Sequence, residues 1–158
     1  MKTILVYLSL LLGFLISCQS DRQQNLNRKA SIEKNEVLLE NPLLMTPMTS
    51  SIQPKDSTMS TLYGNEIASV YAKNNSDDKY PKGAVLYEVT WKQKPDELWF
   101  GANVPKEIFS VEKITFQRDK GYRYEIYKGN PLQKKNANDS KVALRISTII
   151  SQKMAVSP

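Results

Sequence analysis

Ala84-Val-Leu-Tyr-Glu-Val-Thr-Trp-Lys92 is the stretch whose reading decides the fold. Val85, Tyr87, Val89 and Trp91 fall on one parity, and Leu86, Glu88, Thr90 and Lys92 on the other. A period of two predicts a half-buried β-strand. The first parity carries the larger apolar area, so Trp91 is expected to face inward with Val85, Tyr87 and Val89. Upstream, Tyr80-Pro-Lys-Gly83 reverses the chain; downstream, Pro95-Asp-Glu97 turns it again and should return Trp99 close to Trp91.

Working outward, Met59 to Gly64 has strand character, and Asn65 is placed to cap a short helix over Glu66 to Lys73 with Ile67, Val70 and Tyr71 on one face. Asn74 to Asp78 is a polar turn. On the other side, Trp99-Phe-Gly-Ala102 is a short apolar piece, and Pro105, lacking an amide donor, marks a boundary before the next strand. Within Ile108 to Gln117 the parity slips between Phe109/Val111 and Ile114/Phe116, which predicts a bulge near Glu112-Lys113. Arg118-Asp-Lys-Gly121 reads as a hairpin loop, and Tyr122, Tyr124 and Ile126 then alternate with Arg123, Glu125 and Tyr127. Asp139 or Ser140 can cap a last helix in which Val142, Ala143, Ile146, Ile149 and Ile150 recur at helical spacing. Residues 56–158 therefore predict an α+β domain, mainly antiparallel sheet with short flanking helices.

The N-terminal end reads differently. Lys2 precedes an apolar run from Ile4 to Ile16 (16 − 4 + 1 = 13 residues), short of the ~20 a membrane-spanning helix needs and suited to a signal peptide over residues 1–17. Leu15-Ile-Ser-Cys18 resembles the lipobox of bacterial lipoproteins, and Cys18 is the only cysteine. The resemblance implies cleavage before Cys18 and its acylation by diacylglycerol and an amide-linked chain such as palmitate. The partner is then a lipid bilayer and the location the cell envelope, since several acyl chains anchor durably where one does not. Gln19 in place of an inner-membrane retention Asp favours the outer membrane, with the side of the membrane left open. Residues 18–55 read as a flexible tether, polar through Lys34. Its more apolar part, Val37 to Met48, either docks on the domain or belongs to the linker.

Without Lys2, 21 basic and 16 acidic side chains remain, +5 instead of +6. Charges alternate in sign instead of clustering, so no nucleic-acid surface is indicated. The chain has no histidine. That excludes a Ser-His-Asp triad and His-ligated zinc or haem, and one lipidated cysteine leaves no redox pair. Asp96 and Glu97 are adjacent, Glu125 stands between tyrosines, and Asn75-Ser-Asp-Asp78 reads as a turn; none makes an acid/base pair.

Several pieces together resemble the cytochrome P-460 family: Met59-Ser-Thr-Leu-Tyr-Gly-Asn65, Tyr80-Pro-Lys-Gly-Ala-Val85, Val89-Thr-Trp-Lys-Gln93 through Asp96 to Trp99-Phe-Gly-Ala102, and Pro105. Val111-Glu112, Tyr124 to Gly129 and Arg145 to Pro158 fit as well. The resemblance implies an antiparallel β-rich fold, and in haem-bearing members a c-type haem on CxxCH that oxidises hydroxylamine or binds small gases. This chain has neither CxxCH nor histidine, so covalent c-type haem is excluded and no cofactor is expected. Tyr87, Trp91, Trp99, Phe100, Tyr122 and Tyr124 form a candidate pocket where relatives hold haem, or fill that space as core, the reading favoured by dense interior packing. The functional expectation is a membrane-anchored, haem-less P-460-like binding or structural module with a protein or small-molecule partner, leaning away from an enzyme. A redox enzyme with non-covalent haem is the alternative.

Overall fold

In the computed structural model, residues 27–32, 37–118, 121–137 and 140–155 are described. The expected signal peptide over residues 1–17 and the expected lipidation site Cys18 lie outside them. The strands are β1 (Thr46–Gln53), β2 (Thr58–Gly64), β3 (Val85–Pro95), β4 (Asn103–Phe116), β5 (Tyr122–Lys128) and β6 (Gln133–Lys135), and the helices α1 (Glu66–Asn74) and α2 (Val142–Ile150). The strands form one antiparallel sheet in the order β1-β2-β3-β4-β5-β6, each paired with its neighbour in the chain. This is the expected α+β class.

The strand at Ala84–Lys92 forms, but it is not half-buried. Tyr87, Val89 and Trp91 pack on one face with Ile32, Leu38, Val111 and Tyr127. Leu86, Glu88 and Thr90 are buried on the other. The first face is covered by described residues of the N-terminal segment, within the range 18–55 that the sequence assigns to the tether. Ile32 and Leu38 are core residues, Trp91 Nε1 donates to the Ala30 carbonyl at 2.9 Å, and Thr46–Gln53 is a strand. Of the apolar residues of Val37 to Met48, Leu38, Leu43, Met45 and Met48 pack into the two clusters, while Val37, Leu39 and Leu44 are exposed.

The opposite face carries a second cluster, Met48, Leu62, Ala68, Tyr80, Ala84, Leu86, Ile114, Phe116, Ile146 and Ile149, under α1 and α2. Asn65 caps α1 as predicted, its Oδ1 accepting from the Ala68 amide at 3.0 Å. The buried face of α1 is not the one expected: Ile67 and Val70 are exposed, while Ala68 is buried with Tyr71 and Ala72 beside it. Small residues let the helix come down close to the sheet. At Gly64 a Cβ would stand 2.6 Å from Met48 Sδ and 3.1 Å from Ala68 Cβ.

Three further expectations shift along the chain. Pro105 lies within β4, opposite Gln93, where the register is irregular. The bulge is at Phe109, between the pairs Thr90↔Ser110 and Trp91↔Ile108, and not at Glu112-Lys113. The parity slip seen in the sequence arises because β4 is buried on both faces, Val111 in one cluster and Ile114 in the other. In α2, Ile146 and Ile149 are buried as expected, whereas Ala143 is exposed.

Candidate functional site

α1 and α2 cover only part of their face of the sheet. Beside them lies a groove of about 910 Å³ over β2–β5, within the range of small-molecule sites. Its floor is polar: Thr58, Ser60, Thr90, Ser110 and Glu112, with Tyr124 and Ile126 from β5. The bulge at Phe109 puts that ring and Ser110 into the same lining. The rim carries Lys92, Lys106, Lys128, Lys135, Lys141 and Arg145, against Asp56 and Glu112 as the only acids. Among the described residues, Lys106, Lys128 and Lys135 enter no ion pair. Lys128 Nζ sits 5.7 Å from the centre of the Phe109 ring.

At the edge of the groove two carboxylates face each other directly across β3 and β4, Glu88 opposite Glu112. Both are nearly inaccessible, 1% and 4% exposed. Like charges so placed are unfavourable unless neutralised. Arg145 of α2 supplies the cation, its Nη2 lying 2.7 Å from Glu88 Oε2 and 2.6 Å from Glu112 Oε2. Arg145 Nε donates to Glu112 as well, at 3.0 Å to Oε2. The remaining acceptors are filled by Ser60 (2.9 Å) and Gln152 (3.3 Å) on Glu88 Oε1, and by the Tyr124 hydroxyl (2.5 Å) on Glu112 Oε1. Burial pushes the Arg145 pKa down, but the hydrogen bonds and charge of Glu112, with the charge of Glu88, outweigh it and raise the pKa above its ordinary value. Burial and the Glu112 bond push the Tyr124 phenol up. Thr90 Oγ1, in the floor, is buried with no partner among the described residues.

The aromatic residues singled out in the sequence are not brought together. Tyr87 and Trp91 are in the core on the face opposite the groove. The Tyr87 hydroxyl donates to Glu40 at 2.9 Å and Lys113 lies over its ring. Trp99 and Phe100 are exposed at the tip of the β3–β4 hairpin, far from the expected place beside Trp91, because β3 runs on to Pro95 before the chain turns. Tyr122 is exposed at the start of β5, and of the set only Tyr124 lines the groove. Glu125, far from standing alone, accepts from Arg123 (2.9 Å) and Lys134 (2.5 Å).

Sequence reasoning missed Glu88, Glu112 and Arg145. The available signal was a charged residue in each of three otherwise inward-facing patterns: Glu88 between Leu86 and Thr90, Glu112 between Ser110 and Ile114, and Arg145 one residue before Ile146.

A methionine or a tyrosine is the ligand the non-covalent haem alternative would use. Met59 packs against the cluster on the opposite face, Met154 against the helix-side cluster, and the Tyr124 oxygen is committed to Glu112 in its protonated form. Among the described residues no cluster of His, Cys, Asp or Glu could hold a metal ion, and no helix is long and apolar enough to cross a membrane. No family model matches the chain, and no curated protein matches it.

Proposed function

We propose that this protein is a cell-envelope lipoprotein anchored through acylated Cys18. Its cytochrome P-460-like domain has no haem and acts as a non-enzymatic module binding an anionic, partly apolar small molecule in the groove over β2–β5. The observation that carries the ligand class is the lining itself. Five lysines stand on the rim, of which Lys106, Lys128 and Lys135 enter no ion pair among the described residues, while of the two carboxylates in the lining Glu112 is neutralised by Arg145. Phe109, Tyr124, Ile126 and Val142 supply apolar contact, and Ser60, Thr90 and Ser110 supply hydroxyls. The outer-membrane destination and the absence of nucleic-acid partners are part of the same reading, resting on Gln19 and on the scattered charges outside the groove.

A binding role is favoured over catalysis by the state of the acidic groups. Glu88 and Glu112 are both held by Arg145, and the Tyr124 hydroxyl donates a hydrogen bond to Glu112, so the buried acidic groups beside the groove are engaged with one another.

Calorimetric titration of the mature protein tests this. Octyl phosphate and octanoate should bind with one site per chain, octylamine should not, and Lys128→Glu with Lys135→Glu should abolish binding. Equal binding of octylamine, or none of the anions, overturns the ligand class. A stoichiometric Soret shift on titration with haemin overturns the haem-less reading.

A further inference from the structure

The hairpin joining β3 and β4 projects beyond its neighbours. β2 pairs with β3 only as far as Thr58↔Lys92, and β5 with β4 only as far as Ser110↔Lys128, whereas β3 and β4 stay paired to Pro95↔Asn103. At its end the turn is fixed by polar bonds alone. The Asp96 amide donates to the Ala102 carbonyl at 2.9 Å and the Ala102 amide to the Trp99 carbonyl at 3.0 Å. Asp96 Oδ1 accepts from the amides of Leu98 (2.8 Å) and Trp99 (3.3 Å), and Gly101 takes φ +79. Nothing in this turn requires apolar side chains. Yet Leu98 is 88% exposed, Trp99 72% and Phe100 fully so. Another connection, Asn74 to Asp78, is polar.

The N-terminal end of the described chain lies at the same end of the molecule. Asn27 Nδ2 donates to the carbonyls of Pro105 (2.9 Å) and Lys106 (2.8 Å), at the foot of the hairpin. From Cys18 to Asn27 there are nine residues (27 − 18), a contour of at most roughly 30 Å. An anchor at Cys18 therefore meets the domain beside the hairpin and keeps the tip within reach of the bilayer. Arg28, Lys29 and Lys106 flank it, while Lys94 pairs with Glu97 at 3.6 Å in the turn, and the cations beside the tip are suited to an anionic headgroup layer.

We propose that Leu98-Trp99-Phe100 is a membrane-contact element. The three side chains enter the boundary between headgroups and acyl chains, where tryptophan and phenylalanine are favoured, and fix the orientation of the domain on its anchor. The inference rests on the Cys18 anchor for its reach and adds a second contact to it.

The mature acylated protein is reconstituted with vesicles of phosphatidylcholine and phosphatidylglycerol, with and without brominated acyl chains. Flotation reads the anchor; Trp99 fluorescence reads the tip. The Trp99→Phe variant leaves Trp91 as the only tryptophan and supplies the background. Trp99 emission should shift to the blue and be quenched by brominated lipid, and Leu98→Ser with Phe100→Ser should remove both effects while flotation persists. Quenching without stable flotation keeps the tip and removes the anchor. Flotation with Trp99 unquenched overturns the tip alone, and neither signal overturns both. Emission already blue-shifted without lipid, in a concentration-dependent way, assigns the tip to a second copy of the chain and overturns the proposal.

Discussion

The guanidinium of Arg145 and the carboxylate of Glu112, 2.6 Å apart, tie the last helix to the fourth strand across 33 residues of chain. Attraction alone would not justify the contact, because removing charges from water costs as much as pairing them returns. What makes it consequential is asymmetry: Glu112 and Glu88 are buried whether or not the arginine is there. Arg145→Ala should therefore destabilise the domain by ~2–3 kcal/mol, less than the ~3–5 kcal/mol of a fully buried pair because the guanidinium keeps part of its hydration. Urea unfolding checks it. Arg145→Lys, which cannot span both carboxylates in a fork, should recover only part of the loss.

The two tryptophans should behave in opposite ways. Trp91 is buried and hydrogen-bonded to Ala30, so Trp91→Ala should cost ~3–5 kcal/mol, a large share of a total of ~5–15 kcal/mol. Trp99→Ala and Lys92→Ala should leave the melting temperature nearly unchanged, since Trp99 is exposed and Lys92 makes only a surface pair with Glu107. Equal melting losses at both tryptophans would contradict the placement of Trp99.

At the alkaline end the tyrosines limit stability. Burial, and then the charge of Asp78, push the Tyr80 phenol from its ordinary 10.0 up to about 12. The folded value lies above the unfolded one, so Tyr80 contributes full stability below pH 10 and loses it as pH rises toward 12. Tyr80→Phe should flatten the fall in melting temperature over that window, measured by circular dichroism at successive pH values.

Gly64→Ala should destabilise the domain by ~1–3 kcal/mol, since the new methyl meets buried Met48 and Ala68 where α1 descends onto β2. Truncating the sulfur-bearing side chain with Met48→Ala in the same molecule should make the two losses less than additive, read by denaturant melts of the three variants.

Strand identity was legible because alternation survives in β2, β3 and β5, and the capping of α1 because Asn65 stands directly before it. What periodicity could not show is which surfaces receive cover from distant chain. Leu86 and Glu88 are buried by elements some twenty residues before and about sixty after them, Ala68 and Ile146 among them. The same limit hid β1, whose Thr46–Gln53 composition is that of a polar linker until it pairs with β2. The groove was invisible for a related reason. Its aromatic candidates lie on different strands, whose relative facing parity within one strand does not give, and Tyr124 faces one side of the sheet while Tyr87 and Trp91 face the other.

The agreement between strand order and chain order has a consequence for how the molecule comes into being. As the chain is made from its N-terminus, each strand after β1 finds its hydrogen-bonding edge already laid down, and no strand has to be threaded between two others. The exception is electrical. Glu88 and Glu112 are in place one strand apart, facing each other, while their counterion still lies 33 residues downstream of Glu112. Until Arg145 arrives, that face of the growing sheet has to stay hydrated. Assembly therefore has a built-in last step, the seating of α2, and a chain cut short of it is left with two carboxylates facing each other at the centre of its sheet.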